Sequence, residues 1–257
     1  MGLIVEPEVD GLILKLRRSI QAILGERLVG LYLYGSLVTG DFDPRVSDVD
    51  LLAVTASDID EREFERLRGM HQAIAAASPA WDDRIEVAYL SAAALRTFRE
   101  RASRIAVISP GEPFHFKEAG KDWLINWWVI RSSGVALIGP PPEALIDPIS
   151  DEEFLRAVSE QVVEWQDWVE HMRRRGSQAY AILTMCRALY AISNRAQVSK
   201  LQAARWAQAR FPQWAPLIER ALAWRVAPDD AGVDHEATFG ETVGFVRFTL
   251  AHIQGRA

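Results

Sequence analysis

The sequence predicts an α+β protein in which an N-terminal α/β domain is followed by an all-helical domain. Two short apolar runs near the start, Val29–Tyr34 and Val49–Val54, have the length and composition of buried strands. Beyond Gly139–Pro142 every remaining segment has helical periodicity. Because three consecutive prolines continue neither a helix nor an interior strand, we place the boundary there, with domains at 1–145 and 146–257.

Helices are expected around the strands of the first domain. A helix is predicted over 7–25, with Leu14 on its apolar stripe. Ser57 or Asp58 is expected to cap a second helix that runs to Ala77. In the second domain, Ser150 and Glu153 form the pattern of a capping box. The helices expected there cover 151–174, 177–194, 199–211, 213–226 and 236–255.

The end of the first domain is less regular. Residues 105–120 have the glycine and proline content of a loop, and this loop carries His115. His115 could contact a substrate, but a loop role without a ligand is favoured because no partner is visible in the sequence. Trp123 and Trp127 are spaced to share a helix face, which favours a place in the core or at a domain interface. Val135–Ile138 is predicted to be the last strand.

The first predicted strand ends in Gly35-Ser36. A glycine lets the backbone turn sharply and has no Cβ to obstruct a ligand. Its amide, together with the amide and hydroxyl of Ser36, can therefore point at a phosphate group. This turn is a candidate phosphate site.

The second predicted strand opens with two acids, Asp48 and Asp50. Since strand side chains alternate between faces, both carboxylates are expected on one side. Like charges held so close repel, and a divalent cation between them offsets the repulsion. A third acid, Glu86, lies on a predicted strand whose apolar residues, such as Val87, alternate to the other face. A phosphate turn beside paired acids is the minimal apparatus for transferring a nucleotidyl group.

Each of these motifs also has a purely structural interpretation. Gly-Ser alone carries no information, and Asp-x-Asp is common in solvated loops and helix caps. It is the combination with flanking strands and a third acid that indicates a site. Asp41 and Asp43 are different, because they stand beside Gly40 and Pro44 and are better explained as turn residues.

The composition indicates a globular chain with an acidic balance. Its 257 residues are 49% hydrophobic, with a formal net charge of −6 at pH 7, and an acidic chain is poorly suited to hold nucleic acid by its phosphates. We expect a small, hydroxylated, cationic acceptor instead. No run approaches the ~20 apolar residues of a membrane helix, and the acidic N-terminus is unlike a secretory signal. The single cysteine, Cys186, fits a small core residue. We expect a cytoplasmic monomer without membrane contact.

Two sets of residues resemble known families. Gly35-Ser36, eleven intervening residues and Asp48-Val-Asp50 resemble the signature of the DNA polymerase β-like nucleotidyltransferase superfamily. The segments Leu183–Tyr190, Val198–Ala207 and Val135–Pro140 resemble the aminoglycoside (3″)(9) adenylyltransferases that inactivate streptomycin and spectinomycin. The second resemblance spans most of the chain. It implies a polymerase β-like nucleotidyltransferase domain and a helical bundle that closes the nucleotide and substrate cleft.

The resemblance also implies an activity, which is the transfer of AMP from ATP to a hydroxyl of an aminoglycoside or aminocyclitol, with Mg²⁺ as cofactor. By this likeness Asp48 and Asp50 hold the metal, and Glu86 is the catalytic base or a further metal ligand. The residues implied in nucleotide binding are Gly35, Ser36, Arg187 and Lys200.

The part of the family pattern that binds the acceptor is less complete. By the same likeness Trp168 lies at the drug-binding position. The family's drug-binding aspartate falls on Ser177 in this chain, and a second acid used for streptomycin falls on Arg173. From pattern alone, Arg187 and Lys200 could equally be ordinary surface bases.

Two other functions stay open at the level of sequence. A nucleotidyltransferase that acts on a protein or an RNA would have the same catalytic residues, and only the acidic balance counts against it. A non-catalytic nucleotide sensor would bind ATP without releasing pyrophosphate.

Overall fold

A six-stranded mixed sheet is the frame of the first of two units in this computed structural model. The structure describes residues 7–227 and 234–255, and the chain divides into units at 1–148 and 149–257. Across the sheet the strand order is β5-β4-β3-β2-β1-β6; β2 and β3 run parallel, and the other neighbours run antiparallel. The strands are β1 (Leu28–Tyr34), β2 (Val49–Thr55), β3 (Ile85–Ser91), β4 (Ser103–Ser109), β5 (Glu112–Ala119) and β6 (Val135–Ile138).

Helices accompany this sheet, and a large hydrophobic cluster covers one of its faces. The helices of the first unit are α1 (Pro7–Leu24), α2 (Ser36–Thr39), α3 (Glu61–Ala77), α4 (Ala92–Thr97) and α5 (Leu124–Ser133). Helices α1 and α3 contact each other, and their apolar residues join those of alternate strand positions in one cluster. Leu33, Leu51 and Val87 lie in this cluster. Alternation therefore directs the residues next to them, which include the candidate acids, to the other face.

The second unit is a helical bundle built around one central helix. Its helices are α6 (Asp151–Trp168), α7 (Arg175–Asn194), α8 (Lys200–Arg210), α9 (Ala215–Val226) and α10 (Phe239–Gln254). Helix α7 contacts α6, α8, α9 and α10. The periodicity of its sequence assigns Thr184 and Ala191 to a polar face with Tyr180, but both residues are buried by these contacts.

The sequence expectation of an α+β protein is confirmed. Among the described residues no helix combines the length and hydropathy that crossing a bilayer requires.

Several local expectations agree with the structure. Ser150 and Glu153 form the capping box of α6, with Glu153 N donating to Ser150 Oγ at 3.2 Å. Trp123 and Trp127 are both buried, with ring centroids 5.3 Å apart. The strand expected near residue 135 is β6.

Three local expectations are wrong. Leu14 is 42% exposed, because it lies beside the apolar stripe of α1 rather than on it. Helix α3 is capped by Asp60, not by Ser57 or Asp58: Glu63 N donates to Asp60 Oδ1 at 2.8 Å, and Asp60 N donates to Glu63 Oε2 at 3.2 Å. The capping-box pattern alone does not choose between the two aspartates, because Asp58 and Asp60 each have a glutamate three positions later, Glu61 and Glu63.

The third error concerns residues 105–120, which form most of a β-hairpin rather than a loop. Strands β4 and β5 pair from Ser103 opposite Ala119 to Ser109 opposite Glu112. Gly111 makes the tight turn with φ +79°. Pro113 is tolerated because β5 is an edge strand, where a missing backbone donor need not interrupt the sheet. His115 lies in this strand with Nδ1 2.7 Å from Pro113 O.

The cap of α3 gives a first testable prediction. Replacing Asp60 with alanine removes the acceptor for Glu63 N, and we expect the variant to lose about 1 kcal/mol of folding free energy. Denaturant unfolding, followed by intrinsic fluorescence, measures the change. Asp58→Ala is the matched control and should leave stability within about 0.5 kcal/mol of the parent. Equal losses in the two variants would contradict the assignment of the cap to Asp60.

Candidate active site

Three neighbouring strands align Tyr34, Asp50 and Glu86 in one row. Tyr34 of β1 is the register partner of Asp50 of β2, and Asp50 is the register partner of Glu86 of β3. Directly opposed residues project to the same face of a sheet. The sequence expectation that Asp50 and Glu86 come together is therefore met by the strand register, and Tyr34 joins them.

A glycine makes the turn at the end of β1 possible. Gly35 has φ 72° and ψ −148°, a conformation that is essentially restricted to glycine. A Cβ atom on it would lie 1.9 Å from Asp50 Oδ2. The chain therefore passes directly against the Asp50 carboxylate, and Ser36 follows as the first residue of α2.

The segment that leads to Asp48 is held by an arginine. Arg84 Nη2 donates to Pro44 O at 2.8 Å and also to Ser47 O, and its guanidinium lies 4.4 Å from the ring centroid of Trp81. Ser47 Oγ accepts from Asp43 N at 3.0 Å. Asp48 is the residue between this anchored segment and the start of β2. The hydrogen bonds from Arg84, and the one from Asp43 N to Ser47 Oγ, therefore fix the backbone that leads to Asp48.

The acid in this turn has a structural role, as the sequence indicates. Asp43 Oδ1 accepts from Arg45 N at 3.0 Å, and its other oxygen pairs with Arg45 Nη2 at 2.7 Å. These contacts lie within the turn, as expected for a turn residue.

The burial of Tyr34 and the negative charges of Asp50 and Glu86 determine the electrostatics of this row. Tyr34 is 6% exposed. Burial raises the pKa of the Tyr34 hydroxyl well above its usual value of 10, and the negative charges of Glu86 and Asp50 raise it further. The hydroxyl therefore stays protonated and donates to Glu86 Oε1 at 3.1 Å. The two carboxylates generate a negative potential that would attract a cation.

The expected three-acid metal group is not assembled in this structure. Within residues 7–227 and 234–255 no three His, Cys, Asp or Glu side chains are grouped so that they could hold a metal ion. Asp50 and Glu86 are register partners, whereas Asp48 precedes the strand. Three carboxylates without a cation repel one another, which opposes a tighter grouping.

The second unit carries the other predicted site residues on α6, α7 and the start of α8. Arg187 is half-buried on α7, and Lys200 is the first residue of α8, with Nζ 5.0 Å from the ring centroid of Tyr180. Trp168 ends α6 and is 44% exposed. Trp165 lies between the two aromatic residues, with its ring centroid 5.6 Å from Trp168 and 5.7 Å from Tyr180. These contacts connect Trp168 to Lys200 through an aromatic cluster.

The two positions where the family pattern is not kept differ in their surroundings. Ser177 is half-buried in the first turn of α7. Arg173 precedes that helix, with Nη1 2.8 Å from Glu236 Oε2 and its guanidinium 3.8 Å from the ring centroid of Phe239. Its charge is therefore balanced within the unit.

Sequence reasoning missed two residues that support the row of acids. Arg84 directly precedes β3 and holds the turn before Asp48, a role that the sequence pattern does not indicate. Tyr34 is read only as the end of a strand. The signal for Tyr34 was its hydroxyl, because a buried tyrosine normally has a hydrogen-bond partner.

Comparisons with known proteins bear on both units. A family described as "Nucleotidyltransferase domain" matches residues 13–104, and one described as "Aminoglycoside adenylyltransferase, C-terminal domain" matches residues 144–251. An aminoglycoside (3″)(9) adenylyltransferase from Klebsiella pneumoniae is 27% identical over 92% of this chain and 93% of its own length. The protein of that name from Escherichia coli has the same identity and coverage.

A solved structure has the same fold. It is the spectinomycin adenyltransferase AAD(9) from Enterococcus faecialis with ATP and spectinomycin, which has a TM-score of 0.76 and 16% identity and covers 94% of this chain and 98% of its own. The fold and the two family matches define a nucleotidyltransferase. More narrowly, the chain is similar to the aminoglycoside (3″)(9) adenylyltransferases over most of its length.

The approach of Gly35 to Asp50 gives the second prediction. In Gly35→Ala the added Cβ must displace the Asp50 carboxylate, and we expect the rate of AMP transfer to fall by more than about 100-fold, since misplacing a reacting group by ~1 Å has such an effect. Steady-state kinetics measured by pyrophosphate release give the rate.

Gly40→Ala is the matched control for this substitution. Gly40 also has a positive φ, 77°, but a Cβ there meets nothing within 4 Å. We expect this control to lose only about 1–2 kcal/mol of stability, from its left-handed backbone, and to keep its rate. A Gly35→Ala enzyme as active as Gly40→Ala would contradict the steric argument.

Proposed function

We propose that the protein transfers AMP from ATP to a hydroxyl group of an aminoglycoside or aminocyclitol antibiotic of the streptomycin or spectinomycin type. The support for the acceptor class is the name of the curated relatives, with which the chain aligns over 92% of its length. The observation that carries the chemistry is the register pairing of Asp50 with Glu86 beside the Gly35 turn. The monomeric state and cytoplasmic location expected from the sequence stay predictions.

We assign the Gly35-Ser36 turn and two basic residues to ATP binding. Gly35 lets the backbone pass directly against the Asp50 carboxylate, and the amide and hydroxyl of Ser36 are suitable donors for the β- and γ-phosphates. Arg187 and Lys200 supply positive charge for phosphate oxygens, Arg187 through a planar fork and Lys200 as a point charge.

Asp50 in β2 and Asp48 just before this strand are suitable ligands for a magnesium ion. Mg²⁺ prefers oxygen ligands and is held by one or two protein carboxylates, with substrate phosphates and water completing the shell. Asp48 and Asp50 are enough for this, so the lack of a three-acid group among the described residues is compatible with the ion. When bound, Mg²⁺ would neutralise charge on the phosphate oxygens and orient them.

Glu86 is assigned the role of general base. The acceptor hydroxyl gives its proton to a Glu86 carboxylate oxygen while its own oxygen forms a bond to the α-phosphorus. The bond from that phosphorus to the bridging oxygen breaks, and pyrophosphate leaves with the electron pair. Positioning and neutralisation of charge contribute most of the acceleration in phosphoryl-group chemistry of this kind.

We assign Trp168 and Ser177 to binding the acceptor. The exposed ring of Trp168 offers a surface for a sugar or cyclitol ring, and Ser177 offers a hydroxyl as donor or acceptor. Incubation with Mg²⁺, ATP or GTP, and a panel of aminoglycosides plus spectinomycin tests this assignment by product mass. An adenylylated protein or RNA, without antibiotic product, would favour the macromolecular acceptor. Nucleotide binding without pyrophosphate release would favour a sensor.

The assignment of Glu86 gives the third prediction. In Glu86→Gln the side chain keeps its shape but no longer accepts a proton, and we expect kcat to fall by roughly 10²–10⁴-fold with ATP affinity retained. Calorimetry gives the affinity, and pyrophosphate release gives the rate.

Glu118→Gln is the matched control, because Glu118 is an exposed glutamate of β5 in the same sheet. Its kcat should stay within about twofold of the parent, as expected for a surface change. Loss of ATP affinity in Glu86→Gln would instead assign Glu86 to metal binding.

A further inference from the structure

The hydroxyl of Tyr34 reaches across one strand to Glu86. Tyr34 lies on β1 and Glu86 on β3, with Asp50 of β2 between them in register. Neighbouring strands are about 4.8 Å apart, so the two backbones are separated by roughly 10 Å. Only a long side chain spans that gap, and Tyr34 Oη donates to Glu86 Oε1 at 3.1 Å.

This hydrogen bond restricts a torsion that is otherwise soft. The terminal torsion of a glutamate is broad, so a carboxylate without a fixed partner samples many orientations. Tyrosine has few rotatable bonds, and Tyr34 is held in a buried strand. A bond from such a fixed donor to one oxygen determines the direction in which the second oxygen, Oε2, faces.

We propose that Tyr34 is a positioning residue for the transfer reaction, holding Oε1 of Glu86 so that Oε2 accepts the proton of the acceptor hydroxyl. This inference rests on the proposed function, because it gives Tyr34 a role only if Glu86 is the base. Tyr34 does not exchange a proton in this scheme. It acts through Glu86, and its effect belongs to the transfer step rather than to ATP binding.

Tyr32 shows that burying a tyrosine in this strand does not require an acid as partner. It lies two residues before Tyr34 on the same strand and face, and it is 1% exposed. Its hydroxyl donates to Pro140 O at 2.9 Å. Tyr32 thus matches Tyr34 in residue type, burial and hydrogen bonding, and differs in having no bond to Glu86.

The first experiment compares Tyr34→Phe with Tyr32→Phe. For Tyr34→Phe we expect kcat to fall by about 10- to 100-fold, as for a misoriented reacting group, with KM for ATP and the calorimetric ATP affinity unchanged. Tyr32→Phe should keep kcat within about twofold, because its bond does not orient a reacting group. Thermal midpoints of both variants are measured alongside, since each loses one buried hydrogen bond. Equal kcat values in the two variants would overturn the inference.

The second experiment tests whether Tyr34 acts through Glu86. The loss from Tyr34→Phe should disappear in a Glu86→Gln background, where no base is left to orient. Residual turnover there is followed by product mass over long incubation. A loss of the same size in both backgrounds would overturn the inference, because Tyr34 would then act independently of Glu86.

The outcomes separate this inference from the proposed function. Full activity of Glu86→Gln would remove the base assignment itself, whereas an inactive Glu86→Gln with a fully active Tyr34→Phe would remove only the role of Tyr34. If Tyr34→Phe does not fold, Glu86→Asp is measured instead. Aspartate is one methylene shorter than glutamate, so this variant moves the acceptor carboxylate of the same hydrogen bond away from the Tyr34 hydroxyl. We expect a lowered kcat with unchanged ATP affinity, and an undiminished kcat would overturn the inference.

Discussion

The register of the three central strands is the constraint on which the candidate site depends. Because side chains alternate along a strand, a slip of one residue in β2 would turn Asp50 to the face occupied by α1 and α3. Leu51 and Val87 lie in the hydrophobic cluster on that face. The register that places Leu51 and Val87 in this cluster also brings Asp50 beside Glu86. The core and the acid pair are therefore two consequences of one strand alignment.

The features that could be predicted from the sequence are those determined by neighbours along the chain. The turn at Gly35 and the spacing of Asp48 and Asp50 depend on a few adjacent residues, and the opposite faces of Glu86 and Val87 follow from alternation within one strand. The capping box of α6 is equally local. For α3 the same local rule fits Asp58 with Glu61 as well as Asp60 with Glu63, so the rule alone does not identify Asp60 as the cap.

The features that were missed depend on residues far apart in the chain. The sequence of β5 reads as a loop because it is an edge strand, which tolerates Pro113 and exposed polar residues. Helix α7 reads as amphipathic, but four other helices surround it and bury Thr184. The bond from Tyr34 to Glu86 joins strands 52 residues apart. No local pattern predicts such a contact, because it follows from the strand order of the sheet.

The segment before α7 bears on the proposed recognition of an acceptor. The family resemblance places drug-binding acids at 173 and 177, and this chain has Arg173 and Ser177 there. An unpaired arginine would repel a cationic acceptor, but Arg173 is ion-paired with Glu236 and stacked on Phe239. The substitution therefore removes an attraction without adding a full repulsion. Under the proposed function, binding of a cationic acceptor would then rely more on the exposed ring of Trp168 and on neutral hydrogen bonds than on carboxylates.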